Sequence, residues 1–538
     1  MTDMHRTLVA AGLALAGSAA SFAAAPASEI LAPAKQRFGG EKSTETPDFQ
    51  KHVLPMMGRV GCNGRSCHGS FQGQGGFRLS LFGYDFTADH DALLKGEKPR
   101  IEPGEPEESK AVKKATGRMP HKGGKVIAPD SWEHKLLARW IEAGAKPAAH
   151  KASFAKLEVT PAEIVFTKPG EKIPLRVVAV WSDGVREDVT CLARFRTNDE
   201  SIVKVDAEGV VSAAGKGDTH VVAFYDNGVH AVPAMLAVSD KIGANYPAIA
   251  TPTKIDALVV EKLKKVGIVP SEICTDGEFL RRVSLDLTGT LPSPAEIDAF
   301  SKSKDPEKRP LKIEELLKRP AYAAWWTTKL CDVTGQNLGQ LQEQQLQQVR
   351  YAMYRGWYDW IRKRVEENVP YDKIVEGIVL ATSREKGQTY EQYAKQMSDA
   401  GRADKPGCLA DRETMPFFWG RRNVAKSEEK ALNFAYAFLG VRLQCAECHK
   451  HPFDQWTQQD FKQFTAFFNS IQYGLSPEAR KFDQAFQEKL GLKQLKDGQD
   501  RQKKTSEAYA KGETVPVREV FVNAAVNARM NPKGKAAR

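Results

Sequence analysis

The stretch Cys445-Ala-Glu-Cys448-His449 constrains this chain more than any other. Two thiols three residues apart share one face of a helical turn, where they can add to the two vinyl groups on one edge of a porphyrin. The histidine that follows is then set under the iron as an axial imidazole. Covalent haem c is the expected cofactor, with Cys445 and Cys448 as thioether sites and His449 as iron ligand. Downstream, Thr457-Gln-Gln-Asp460 reads as a capping-box variant. Phe461, Phe464 and Phe468 recur at helical spacing, so an aromatic-faced helix is expected after the motif.

A second histidine-terminated pair lies at Cys62-Asn-Gly-Arg-Ser-Cys67-His68. This is C-x4-C-H, a longer spacing, and the vinyl groups are a fixed distance apart, so Asn63–Ser66 must loop out. Asn-Gly is a good turn former. A local Cys62–Cys67 disulfide and a zinc half-site compete with haem here. For zinc, no second Cys/His pair at finger spacing is seen. With this motif included, haem c is expected at one or two sites.

Further along, Arg118-Met119-Pro120-His121-Lys-Gly-Gly124 offers Met119 and His121 as ligands for the other face of that iron. Asp130-Ser-Trp-Glu133 caps a helix with Trp132, Leu136, Leu137, Trp140 and Ile141 on one face, ended by Gly144 and Pro147. His52 and His134 read as surface or structural residues, and Gln72–Gly76 as a loop rather than a nucleotide site. For the second iron, Met353, Met397 and Met415 are candidates by position. Met415 ranks first because it precedes Pro416 in a loop-like stretch, and a five-coordinate iron stays open.

His5 and Arg6 precede a small, apolar Leu8–Ala20 run and an Ala-rich stretch, so residues 1–27 read as a secretory signal peptide. The run is short for a membrane span, and no later run reaches that length. The mature chain is therefore expected in the periplasm or at the cell surface, without a transmembrane span. Of eight cysteines, Cys191, Cys274, Cys331 and Cys408 lie outside the motifs and read as buried thiols, with a Cys274–Cys331 or Cys331–Cys408 bridge left open. The net charge of +11 is spread along the chain. No basic-aromatic cluster suggests nucleic acid, whereas an acidic redox partner or a polyanionic surface suits the balance.

The expected organisation is multidomain. A linker over 28–48 leads to a mainly α domain over 49–150. Short strand-like runs over 155–240, punctuated by Gly, Asp and Asn, predict an all-β sandwich. A mainly α domain follows over 254–470, with helices marked by Ile255, Leu258, Val259 and Leu263, by Ser293-Pro-Ala-Glu296, and by Leu311–Leu317, Tyr322–Leu330, Leu341–Val365, Tyr371–Ala381 and Ser427–Leu439. The Gln-rich Gln336–Gln348 stretch reads as helix. Residues 471–538 read as a polar tail. Arg281, Arg282 and Asp286 read as surface ion pairs rather than catalytic groups.

Three resemblances overlie this reading. GCNGRSCHGSFQGQGGFRLSLFGYD, RMPHKGGK and SWEHKLLARWI resemble the N-terminal cytochrome-c-like domain of large exported planctomycete proteins. That resemblance implies His68 as proximal ligand and Cys62 and Cys67 as thioether sites, with Met119 or His121 opposite. TPAEIVFTKPGEKIPLRVVAVWSDG and SIVKVDAEGVVSAAGKGDTHVVAFY resemble a bacterial immunoglobulin-like domain of group 2, usually a spacer. DGEFLRRVSLDLTGTLP, Pro370-Tyr-Asp372 and LGVRLQCAECHKHPFDQWTQQDF resemble the DUF1549 domain over about residues 254–470. Proteins of this type usually continue into a DUF1553 domain, which the sequence through Arg538 lacks. The leading functional expectation is an exported c-type cytochrome passing electrons to an unknown partner. The alternatives are a di-haem oxidoreductase of peroxidase type and a cell-surface polysaccharide-binding or scaffold protein. No pair of glycosidase carboxylates is readable.

Overall fold

The computed structural model describes residues 29–523 except 42, 97, 149–151, 344–345, 403–408, 450 and 452–453. The signal-peptide reading of 1–27 and the bridge partner Cys408 lie outside the described residues. The chain divides into two compact units, 1–268 and 269–538.

In the first unit a π-turn over Phe49–Val53 runs into the helix Leu54–Arg59, and the helices Phe86–Leu94, Lys110–Ala115 and Trp132–Glu142 follow. Ser131 caps the last of these by accepting the His134 amide, which answers an otherwise unpaired donor of the first turn. Leu136, Leu137, Trp140 and Ile141 form its buried face, as their spacing predicts. Trp140 stacks on Phe49 with centroids 5.2 Å apart. The stretch read as a linker is instead folded. Ile30–Leu31 pairs in parallel with Arg186 and Glu187, and Ala34 and Phe38 of the helix Ala34–Gly39 are fully buried. Two apolar side chains at helical spacing outweigh the polar composition around them.

Two four-stranded sheets follow. One has the order Ile30–Leu31, Arg186–Asp188, Arg176–Trp181, Phe154–Thr160, and the other Ile164–Phe166, Gly228–Leu236, Gly217–Tyr225, Arg194–Thr197. A smaller sheet holds Lys172–Pro174, Val210–Ala213 and Val203–Val205. Strand periodicity is plain in Gly217–Tyr225, where Thr219, Val221, Ala223 and Tyr225 point inward and the residues between them do not. The inward side chains of both large sheets share one apolar core with the preceding helices. The helix Lys254–Val266 closes the unit under a Thr253–Asp256 capping box. Its expected stripe is not buried, and Ile255, Leu258 and Val259 stay exposed.

The second unit is mainly helical. Capping boxes start Asp276–Thr288 and Pro294–Lys302, and glycines in the left-handed region end Asp276–Thr288 and Pro320–Thr334. The core gathers Trp357, Trp360 and Ile361 of Gln347–Glu366 with Tyr393 and Met397 of Tyr390–Arg402 and with Phe417, Phe418 and Trp419. Two expectations fail here. The helix expected from Leu341 begins at Gln347, because Leu341 bridges to Arg421 and the Gln342 side chain donates to the Arg421 carbonyl at 2.6 Å. Long-range pairing thus overrides the helical propensity of the Gln-rich stretch. The segment read as a polar tail also folds. Ile471–Gly474 pairs antiparallel with Glu519–Val522, two helices lie between them, and Val515, Val517 and Val520 are buried. Among the described residues no helix is long and apolar enough to cross a membrane.

Candidate haem sites

The first motif is a compact loop after the helix Leu54–Arg59. Gly61 takes φ +89 and turns the chain, and the Cys62 amide donates to Met57 at 2.9 Å. Within the loop, Cys67 and Gly69 both donate to the Gly64 carbonyl, and His68 donates to the Cys62 carbonyl at 3.0 Å. Arg65 and Ser66 are exposed, as looping out requires. Asn63 is not. It is 1% exposed and lies against Gly58 and Gly83, and its amide has no hydrogen-bond partner among the described residues. A Cβ on Gly69 would overlap the Asn63 carbonyl, so only glycine permits this crossing.

Cys62 and Cys67 are both free thiols. Burial pushes the Cys62 thiol up to about 12, with nearby Cys67 acting in the same direction, so it stays neutral. The His68 imidazole is pulled below its usual range, first by burial and then by His121 and Arg100, against the bond to Phe77. It is therefore neutral near pH 7, the form that ligates metals.

The loop brings His68 and His121 together. Their ring centroids are 6.1 Å apart and their planes 11° from parallel. His68 Nδ1 lies 3.1 Å from the Phe77 carbonyl, and His121 Nδ1 lies 3.0 Å from the Gly124 carbonyl. A carbonyl only accepts, so each Nδ1 carries the proton and each Nε2 presents a lone pair. Gly123 lets its chain pass close to the His121 ring, since a Cβ there would sit 2.9 Å from Cε1. Met119 is half-buried, with its amide donating to the Lys113 carbonyl at 3.0 Å. Among the described residues no three His, Cys, Asp or Glu side chains converge to hold a bare metal ion.

The second motif sits on the five-residue helix Gln444–Cys448. Ala446 is buried with Leu443 and Phe461 in a small cluster, while Cys445 is half-buried and Cys448 exposed. The apolar face thus anchors the turn and leaves both thiols free and accessible. His449 ends the helix with extended backbone, and its amide donates to Cys445 at 3.1 Å. The following helix, Gln458–Ala466, starts with the expected Thr457–Asp460 box. It ends before Phe468, which packs at 5.4 Å from Phe464.

Met415 does not join this motif. It is 1% exposed in the main core of the second unit, where its amide donates to Gly377. Met353 and Met397 are core residues of that same cluster. A Met-Pro step at the start of a 3-10 turn looks like a loop in sequence, but here Phe417, Phe418 and Trp419 bury it. Cys274 and Cys331 are free thiols, the latter buried and pushed up to about 12 by that burial. In the sequence His121 and Met119 stand level as ligands, and the pairing of the His121 Nδ1 with a carbonyl has no signal beyond the neighbouring glycines.

No curated protein matches the chain. Residues 254–473 match the family PSCyt2, described as a protein of unknown function (DUF1549). The chain therefore carries a DUF1549 domain that begins at the helix Lys254–Val266 and includes Cys445, Cys448 and His449.

Proposed function

We propose that this chain is an exported c-type cytochrome-like protein that carries covalent haem at one or two sites and passes electrons to a partner. The observation that carries this reading is the pairing of His68 and His121. These two imidazoles, 6.1 Å apart by ring centroid and 11° from parallel, are the pair that would hold the iron. Both present Nε2, because backbone carbonyls hold both Nδ1 protons. Cys62 and Cys67 would form the thioethers, with His68 as proximal and His121 as distal ligand. When bound, the haem would supply one-electron transfer, which two strong axial ligands favour over small-ligand chemistry.

The accessible thiols of Cys445 and Cys448 support a second attachment, with His449 as its ligand. We read the helical part of the first unit as the cytochrome-c-like domain and its two facing sheets as the immunoglobulin-like spacer. The signal-peptide reading of 1–27 places the mature protein in the periplasm or at the cell surface.

The test is expression with the native leader in a host that matures c-type cytochromes, followed by haem staining, intact mass and spectra of the periplasmic fraction. Low-spin six-coordinate haem, by mass one or two per chain, is the expected result. Absence of covalent haem would sink the proposal. A high-spin ferric haem reactive toward peroxide would replace electron transfer with the peroxidase reading.

A further inference from the structure

We infer that the basic rim around His68 and His121 is the docking face for an acidic protein, the partner that exchanges electrons at this site; the inference rests on the haem reading above. The two segments that build the site contain no Asp or Glu over 62–84 or over 109–129. Five cations lie on or against these two segments. Arg65 projects from the exposed tip between the two cysteines, and Lys122 and Lys125 are exposed on the loop that carries His121. The Arg100 guanidinium lies 5.2 Å from the Phe77 ring, whose own carbonyl holds His68 Nδ1. Arg78 sits 5.4 Å from the ring of Phe71. Among the described residues none of these five has an ion-pair partner, although many other cations of the chain do.

Phe71 gives the patch its second property. Its ring is 87% exposed. A large aromatic held in water beside an arginine, in the loop that carries His68, has the composition of an interface anchor. Clustered like charges repel, and an opposing acidic face relieves that repulsion while raising the encounter rate. A protein partner fits better than a lipid or polysaccharide surface, because electrons leave only to a group that itself changes oxidation state.

The test uses the full purified chain and a fluorescent poly-glutamate peptide as the acidic probe. The rim variant is Arg65→Glu/Arg78→Glu/Lys122→Glu/Lys125→Glu. The control carries the same charge change elsewhere, Lys481→Glu/Lys496→Glu/Lys503→Glu/Lys504→Glu. The wild type and the control should bind the peptide with similar affinity that falls as salt rises, and the rim variant should lose at least tenfold. Phe71→Ala should weaken binding several-fold while leaving the salt dependence unchanged. If the four-site variant fails to fold by circular dichroism, the Lys122→Glu/Lys125→Glu pair replaces it with a smaller expected loss. Equal losses in rim and control variants would overturn the docking face, as would tighter rim-dependent binding to heparin or to phosphatidylglycerol vesicles than to the peptide. Haem content is measured on the same preparations. A chain without haem would defeat the electron-transfer reading, and the peptide comparison would still decide the acidic-protein face.

Discussion

His52 Nε2 donates to Oε1 of Glu187 at 2.8 Å, with both side chains buried. The tautomer follows from the other nitrogen. His52 Nδ1 accepts the Asp48 amide at 2.8 Å, so the proton sits on Nε2. Arg37 of the strap over 29–48 donates to the same carboxylate. One carboxylate on the strand Arg186–Asp188 therefore fastens both the strap and the turn that leads to the first motif. Glu187→Leu should destabilise the first unit by about 2–3 kcal/mol, because it strands the buried His52 donor and leaves Arg37 with Glu45 alone. Glu187→Gln keeps an acceptor and should cost less. Urea midpoints measure both. Equal and small losses would mean that the carboxylate is incidental.

The distal ligand divides His121 from Met119. His121→Ala should convert a low-spin first haem to high spin, and imidazole added to the variant should restore the low-spin spectrum. Met119→Ala should leave the spectrum unchanged. The reverse pattern would move the ligand to Met119.

Two glycines separate folding from ligation. Gly69→Ala drives a Cβ into the Asn63 backbone, which cannot yield cheaply, so a loss on the order of 2–4 kcal/mol is expected together with poor haem incorporation. At Gly123 the added Cβ meets the Cε1 edge of the His121 ring, between its two nitrogens, at the end of a side chain that can turn. Gly123→Ala should therefore shift the haem spectrum while thermal unfolding stays near wild type. A Gly123→Ala protein with an unaltered spectrum would argue that the His121 ring is not held at the iron.

Much of this architecture was legible because it is local. Ser131, Ser293 and Thr457 cap helices through their own side chains where the sequence motifs predict, and a cap needs only residues a few positions apart. The strand-like runs expected over 155–240 include the strand Val203–Val205. The misses depend on distant partners. Nothing near Gln342 announces that Arg421 will take it out of a helix. Nothing in 471–538 announces that Val515 and Val517 have a core waiting for them, since the intervening helices are largely charged. At the candidate site the ligating types were readable from the motifs, but the pairing of His68 with His121 over Met119 arises from carbonyls at Phe77 and Gly124 that sequence does not mark.

Asp89 gives the first unit a pH dependence. Its carboxylate accepts both the amide and the hydroxyl of Ser80, next to the Leu79 amide that donates to His68. Burial pushes its pKa up to about 6 from an ordinary 3.8, against those Ser80 bonds. The folded state thus holds the proton more tightly than the unfolded chain. The stabilisation is complete below pH 3.8 and is lost as pH rises through about 6. At about 1.4 kcal/mol per unit, on the order of 2–3 kcal/mol is at stake. Asp89→Asn should flatten the decline in urea midpoint between about pH 4 and pH 7. A variant that keeps the wild-type slope would assign the dependence to other groups.

Tyr390 decides whether the last described segment belongs to the second unit energetically as well as geometrically. Its hydroxyl donates to the Val517 carbonyl at 2.8 Å and accepts the Val517 amide at 2.9 Å. Both residues are buried, so no water replaces the phenol when it is removed. Tyr390→Phe leaves two backbone groups unsatisfied and should cost about 2–4 kcal/mol. Tyr436 is 59% exposed, and Tyr436→Phe should change stability by less than about 0.5 kcal/mol. Hydrogen exchange at 515–522 is the more local readout. Those amides should lose protection in Tyr390→Phe before the helix Gln347–Glu366 does, because the lost bonds hold the segment rather than the core beneath it. If both tyrosine variants protect 515–522 equally, the burial of Val515 and Val517 alone holds the segment.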